Sequence, residues 1–531
     1  MKKLIAGLGL FLVVTLSGFV GSHTIVGNVN DIRFADQYTG SDCGAKINAA
    51  DTELGSAAGE IWVNNSCGLA WSSPVKLSTG HVLRFSQGGT YRLSAGITIM
   101  GNAALVGPQG AMAVNTSPIT MLQMAKGVNV PAIITVNGPA VTIQDLTIDG
   151  NCLPPWTNCN NPTASSGIVA SNLASRLEIS RVVVGNFPSN GVTLNGVGSS
   201  KIFKLMAYQN SNDGLYCNGS VGHGNDGFVT DSEFENNGGN GLAIYGCSAW
   251  RILHSDFGAN SQTVAGSCGL NISGKSSFPA NQEIITNNQF GSEYRNDLCI
   301  TGYKRGNTSV GSNIVSNSFI GSSSLLGPTY NQISLQDGGD NIISGNVFSA
   351  SNSPYSYQYA ISSTETPSNG SGRSDGNVIT ANAYLDSFSN PGSPSWGKSR
   401  IYDPTRNGVT CQATWITLSL AWGSSGAPGN GVSEASGYLP TCSYIISSGN
   451  GSFSASPTVT FNFPGSLTAG LNSTPVCTLS VVAITGAGGA ILFNPITASM
   501  KETQWTAQTS AGASFTPAAS ETYKVVLSCS P

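Results

Sequence analysis

An eight-residue register recurs nine times between Val141 and Tyr384, with units starting at Val141, Leu177, Lys201, Gly227, Trp250, Glu283, Ser312, Asn341 and Asn377. The third position reads Ile143, Ile179, Phe203, Val229, Ile252, Ile285, Ile314, Ile343 and Ile379. The eighth reads Ile148, Val184, Tyr208, Phe234, Phe257, Phe290, Phe319, Phe348 and Tyr384. The sixth ends in asparagines: Asn288, Asn317, Asn346 and Asn382. Starts are 23 to 36 residues apart, so a fixed element alternates with loops of variable length. A self-similar unit of this size cannot bury its own apolar face and must stack on its neighbours, which makes a solenoid. β-Branched and aromatic residues at spaced positions make the repeated element a strand.

Further strands are predicted near Ile168, Val192, Leu215, Leu242, Leu270, Leu298, Ile333 and Ile361, often after glycine. Two or three strands per turn, connected in one sense, give a parallel β-helix. Asparagines stacked inside it would bond one another and the neighbouring backbone, satisfying polar groups that are costly to bury unpaired.

Charge is scarce: 9% of residues against roughly 25% in ordinary domains. The net charge is −4 and no basic run occurs, which argues against nucleic acid as a partner. Met1–Lys3 followed by an apolar run to Leu16, with Val20-Gly21-Ser22 as a cleavage region, reads as a secretory signal peptide. No later segment is apolar enough over ~18 residues to predict a membrane span. Twelve cysteines in a chain bound for an oxidising compartment point to disulfides. They cluster as Cys43 and Cys67; Cys152 and Cys159; Cys217, Cys247, Cys268 and Cys299; and Cys411, Cys442, Cys477 and Cys529.

The expected organisation is a signal peptide over 1–22, an N-terminal cap and first coils over 23–140, β-helix repeats over 141–385, a linker or terminal coil over 386–410, and a C-terminal β-sandwich over 411–531. Cys43–Leu54 carries apolar residues at helical spacing and is the capping-helix candidate. In the last part Pro457–Phe463, Pro475–Val482 and Tyr523–Ser528 read as strands.

The order SDCGAKINAA, GEIWV, VLRFSQGGTYRLSAGITIMGNAALVGPQG, VTIQDLTIDGN resembles the opening of the pectate-lyase-like (pectin-lyase-fold) superfamily. The resemblance covers about 31–385. It implies an all-β fold: a right-handed parallel β-helix with an N-terminal capping helix. It leaves the chemistry open, because that fold hosts lyases, hydrolases, epimerases and phage tailspikes.

Positions one, three, six and eight of the register point inward, so five and seven face out. In adjacent coils these are Asp231 and Glu233, then His254 and Asp256. Strands stacked about 4.8 Å apart would bring the four together on one outer patch. Paired carboxylates can divide acid and base roles in glycoside hydrolysis; they can also hold Ca²⁺. The bland reading is that they are solvated. Arg251 and Lys204 lie near enough to contact substrate, and Tyr216 and Trp156 could stack on sugar rings.

Gly222-His223-Gly224 resembles a polygalacturonase motif, with Asn212-Asp213 in the place of a preceding aspartate. The adjacent aspartate pair and the downstream Arg-Ile-Lys of that family are missing. A third cluster, Glu293, Arg295, Asp297, Lys304 and Arg305, reads as basic residues that receive an acidic sugar or act as a lyase base, or as a solvated loop.

Two function classes remain. One is a secreted polysaccharide-active enzyme, a hydrolase without cofactor or a Ca²⁺-dependent lyase. The other is a non-catalytic adhesive β-helix. The crowding of scarce charge at one point favours the enzyme. Substrate and oligomeric state are not encoded in any readable motif.

Overall fold

The computed structural model describes 31–108, 120–156, 165–274, 280–302, 312–321, 330–336, 341–350, 359–364, 378–385 and, beyond these, 401–402 and the strands with a few adjoining residues between 416 and 530, apart from Gln87, Asn129, His223, Ser292 and Ala381. The expected signal peptide lies outside the described residues, as do Cys159, Lys304, Arg305 and nearly all of 386–410.

The strands stack in parallel into a 22-stranded and a 12-stranded sheet. This is the right-handed parallel β-helix that the repeat requires. Register partners confirm the rows: Val229, Ile252, Ile285, Ile314 and Ile343 stack in one column. In the second sheet Ile168, Val192, Leu215, Leu242, Leu270, Leu298, Ile333 and Ile361 form another.

Each coil is bent by residues with positive φ, and these corners also stack. One ridge, just before the register, is Ala140, Arg176, Ser199, Asp226, Ala249 and Gln282. A second, at position five, is Asp145, Arg181, Lys204, Asp231, His254, Asn287 and Ser316. A third, at position ten, holds Asn186, Gln209, Asn236 and Ala259. The left-handed conformation costs a non-glycine residue about 1–2 kcal/mol, least for Asn and Asp, which bond locally. That preference explains the polar character of the ridges.

The third unit corrects the sequence reading by one residue. Ile202, not Phe203, pairs with Ile179 and Val229, and Ala207, not Tyr208, lies between Val184 and Phe234. Phe203 and Tyr208 therefore face outward, because a slip of one reverses every side chain in a strand. The same correction moves Lys204 to the position-five ridge, beside Asp231.

Phe234, Phe257, Phe290, Phe319 and Phe348 form a continuous stack with centroids 4.8 to 5.1 Å apart and interplanar angles of 7 to 12°. Asn288, Asn317 and Asn346 are buried; Asn382 closes the row, half-buried. Each amide donates to the next carboxamide oxygen at 3.0–3.1 Å. A second polar ladder, not foreseen, runs Asn210–Asn237–Asn260 and ends on Glu293.

The helix Cys43–Leu54 forms as expected, capped by Asp42, whose carboxylate accepts from Ala45 N at 2.8 Å. It is held to the coils by Cys43–Cys67 and by Asp51, whose carboxylate meets buried His81 at 2.6 Å. Cys217–Cys247 and Cys268–Cys299 tie neighbouring coils. Cys152 and Cys477 are also disulfide-bonded, and Cys477 sits opposite Cys529 in an antiparallel pair. At the C-terminus two four-stranded antiparallel sheets form, containing Thr458–Asn462, Val476–Thr485 and Thr522–Ser530.

Candidate functional site: an acidic cleft on the helix wall

Asp231, Glu233, His254 and Asp256 line one open cleft of about 550 Å³, together with Ser232, Ser255, Asn287 and Gln289. Two columns build it. The ridge supplies Asp231 and His254, whose side chains are 44% and 57% exposed. The adjoining strands supply Glu233, Asp256 and Gln289, which are register neighbours. His254 Nδ1 is 3.9 Å from Asp231 Oδ1, and Asn287 Nδ2 is 3.3 Å from His254 Nε2. Ridge polarity thus runs Asp231, His254, Asn287 across successive coils.

The floor is polar because position six changes character here. Leu205 N donates to Ser232 Oγ at 3.1 Å, Ser232 N to Ser255 Oγ at 3.2 Å, and Ser255 N to Asn288 Oδ1 at 2.9 Å. The buried ladder fixes the backbone that carries the exposed carboxylates.

The sequence reading missed Glu235. It lies two residues beyond Glu233 on the same strand, so period-two alternation puts both on the outer face. Its partners in the next coils are Gly258 and Gly291. A Cβ at Gly258 would stand 3.9 Å from Glu235 Oε1, so glycine leaves the carboxylate uncovered on that side. Burial, and then the charge of Glu233, push Glu235 up to about 7. Burial and Glu233 also raise Asp256. Glu235 therefore neighbours Glu233 and Asp256 at the edge of the cleft, beyond its lining, and Glu235 and Asp256 hold protons more firmly than ordinary carboxyls.

The other expected residues lie elsewhere. Arg251 is outward at position two and lines a different cleft on the far side of the ridge. Lys204 adjoins Asp231 along the ridge, but its Nζ lies over the Phe203 ring, 5.1 Å from the centroid. Tyr216 is in the second sheet, beside Tyr245 at 6.4 Å, and is not part of the acidic cleft. His223 is outside the described residues. Asp213 is a buried rung, accepting from Asn240 N at 2.7 Å and Nδ2 at 2.8 Å. Trp156 donates to Gln209 O at 3.0 Å.

Of the third cluster, Glu293 and Asp297 are fully buried, so these two carboxylates are not solvated, while Lys304 and Arg305 lie outside the described residues. Glu293 caps the asparagine ladder, accepting from Asn260 N and Nδ2 at 2.6 and 3.0 Å. Arg295 packs over the Tyr330 ring at 5.9 Å. Among the described residues no three His, Cys, Asp or Glu side chains are grouped to hold a metal ion, and no helix is long and apolar enough to cross a membrane.

No protein-family profile and no curated protein matches the sequence. Solved structures do match in fold. The Dettilon tailspike protein (gp208) aligns with a TM-score of 0.57 at 12% identity, covering 94% of this chain and 95% of that one. The tailspike protein of E. coli bacteriophage HK620, solved as a double mutant with a pentasaccharide, aligns with a TM-score of 0.55 at 9% identity, covering 94% and 93%. The stacked registers, the corner ridges and these alignments together establish the right-handed parallel β-helix fold.

Proposed function

We propose that this chain is a secreted, glycan-active β-helix protein whose acidic cleft hydrolyses a glycosidic bond. The observation that carries the reading is the set Glu233, Glu235 and Asp256 in adjacent coils, with Glu235 pushed up to about 7 by burial and by Glu233. A carboxyl that keeps its proton near neutrality beside one that ionises is the division of labour hydrolysis needs. Glu235 donates its proton to the leaving oxygen as the C–O bond breaks. Asp256 acts on the other side of the anomeric carbon, as base toward water or as nucleophile. A separation of about 5–5.5 Å between the two carboxyls corresponds to retention and about 6.5–9.5 Å to inversion. Glu233 raises the acid's proton affinity, and His254 orients Asp231 at the mouth of the cleft.

The disulfides support an oxidising, extracellular setting. A pentasaccharide-bound tailspike among the fold's relatives agrees with a polysaccharide partner. A lyase would need Ca²⁺ and a basic side chain in the same cleft. Among the described residues no Lys or Arg lines this one and His254, its basic side chain, faces Asp231, which supports hydrolysis by the carboxyls.

The test is a reducing-end assay over a panel of polysaccharides, read in parallel for unsaturated products and repeated with a chelator. Saturated products, lost in Glu235→Gln and Asp256→Asn and kept with chelator, support hydrolysis. Unsaturated, chelator-sensitive products mean a lyase. Glycan binding without any product, surviving alanine at Asp231, Glu233, His254 and Asp256, means an adhesin.

A further inference from the structure

The outer face of the wall changes character one coil before the carboxyls. Position seven reads Met206, Glu233, Asp256 and Gln289 in successive coils, and position nine reads Gly185, Tyr208, Glu235 and Gly258. Tyr208 is therefore the register neighbour of Glu235, about 4.8 Å away along the helix axis. Its ring does not stand up from the sheet. A Cβ on Gly185 would meet Tyr208 Cε1 at 2.5 Å and Cδ1 at 2.8 Å, so the ring lies down over that glycine. The Asn186 amide meets its hydroxyl. Asn186 Nδ2 donates to Asp149 Oδ1 at 3.0 Å, and Gln123 Nε2 donates to Asp149 Oδ2 at 2.7 Å. The ring is held from below and at its hydroxyl end, and stays half-buried.

A second ring comes from the coil that holds Asp149. Gly150 N donates to Gly185 O at 2.9 Å and Cys152 N to Asn186 O at 3.0 Å, which lays the segment after Asp149 across the next coil. Trp156 then reaches one coil further, where its Nε1 donates to Gln209 O at 3.0 Å. Gln209 N in turn donates to Glu235 O at 3.1 Å. Trp156 has φ +62°, a conformation that a bulky residue holds only where its surroundings fix it. The helix core does not require it: the ring is half-buried on the outside of the wall, in a segment whose Leu153 is exposed. Two fixed aromatic side chains thus stand against the coil that precedes Glu235.

Charge sets the class of ring they can receive. Asp231, Glu233 and Asp256 line the cleft, Glu235 stands at its edge, and Asp149 lies behind Tyr208. The cations of the neighbouring ridge are engaged: Arg181 Nε and Nη2 bond Asp145 at 2.6 and 2.8 Å, and Lys204 Nζ lies over Phe203. An anionic sugar would meet carboxylates with no facing Lys or Arg among the described residues, and would be repelled. An uncharged pyranose lays its C–H face on an aromatic ring and turns its hydroxyls to carboxylates and amides.

We propose that Tyr208 and Trp156 form an aromatic subsite beside the acidic cleft that binds an uncharged sugar ring of the chain whose linkage the carboxyls cleave. The inference rests on the glycan reading above and adds the substrate class, a neutral polysaccharide, and the side of the cleft on which it is held.

The test uses the full chain, as wild type and as Asp256→Asn to read binding without turnover, and an array of neutral and uronate-containing oligosaccharides. Neutral members should bind, and Tyr208→Ala and Trp156→Ala should each weaken that binding at least tenfold. Tyr208→Phe, which keeps the ring, should recover most of it. Phe228→Ala, in the cleft across the ridge, should leave it unchanged. Bound oligosaccharide should shift the tryptophan emission of Asp256→Asn, and adding Trp156→Phe should abolish the shift, a reading independent of Tyr208. On polymer the loss should fall on KM rather than kcat. Unaltered melting curves show that the variants fold. Binding that ignores both rings, or that prefers uronate-containing members, overturns the proposal; product that is still lost in Glu235→Gln then leaves hydrolysis standing. Ring-dependent binding of neutral members in a chain without turnover overturns hydrolysis and leaves the subsite standing.

Discussion

Replacing Asn317 with leucine tests the ladder on which the acidic wall is mounted. Its Oδ1 accepts from Asn288 N at 2.9 Å and from Asn288 Nδ2 at 3.0 Å. Its Nδ2 donates to Ile285 O at 2.9 Å and to Asn346 Oδ1 at 3.1 Å. After Asn317→Leu, Asn288 Nδ2 keeps Ile252 O and Asn346 Oδ1 keeps the Asn317 backbone N. The Asn288 backbone N–H is left without an acceptor, and Ile285 O loses a donor. An orphaned buried N–H costs about 1–3 kcal/mol and a lost bond to a carbonyl about 0.5–1.5 kcal/mol. Leucine's extra apolar burial offsets about 1–2 kcal/mol. The net loss centres on about 1.5 kcal/mol. At roughly two to four degrees per kcal/mol for a domain of this size, Tm should drop by several degrees. Hydrogen exchange at the Asn288 amide should accelerate, because the damage is local. An unchanged Tm together with unchanged Asn288 protection would refute the ladder's energetic role.

Two further outcomes follow from the carboxyls. Activity should decline as pH rises through about 7, where Glu235 loses the proton it must donate; Glu233→Gln, by removing a repelling charge, should move that alkaline limb to lower pH in a pH–rate profile. In the core, burial pushes Asp213 up to about 6 and Glu283 up to about 8, and lifts Glu293 well above the carboxyl range. Because these folded values exceed the unfolded ones of about 4, their contribution to stability is complete below about pH 4 and is lost as pH rises through 6 and 8. Melting temperature should therefore fall from pH 5 toward pH 9, with a shallower fall in Glu283→Gln; a curve that rises over that interval would contradict the burial argument.

The β-helix was legible because one residue type recurs at one place: the Phe234–Phe348 row and the isoleucine column need no long-range information. The third unit misled because Ile202-Phe203 and Ala207-Tyr208 offer two apolar choices at each inward position. Matching the larger side chain to the phenylalanine row chose wrongly, and Ala207 is what the column holds. The four ridge and strand residues of the acidic cleft followed from register plus the stacking distance. Glu235 was within reach of the same alternation, one step beyond the eight-residue window. Tyr216 lies on the strand expected near Leu215, in the second sheet and away from the acidic carboxyls. The burial of Glu293 was hidden for another reason: its loop sequence looks solvated, and only the asparagine ladder, assembled from four coils, shows where its carboxyl ends.

The most direct test of the acidic cleft is turnover of a cleavable glycan in oxygen-labelled water, with products weighed by mass spectrometry for the wild type and for Glu235→Gln. Hydrolysis by these carboxyls predicts one labelled oxygen at each new reducing end, no unsaturated ring, and loss of product in the variant. Unlabelled, unsaturated ends, or equal labelled product from Glu235→Gln, would contradict it.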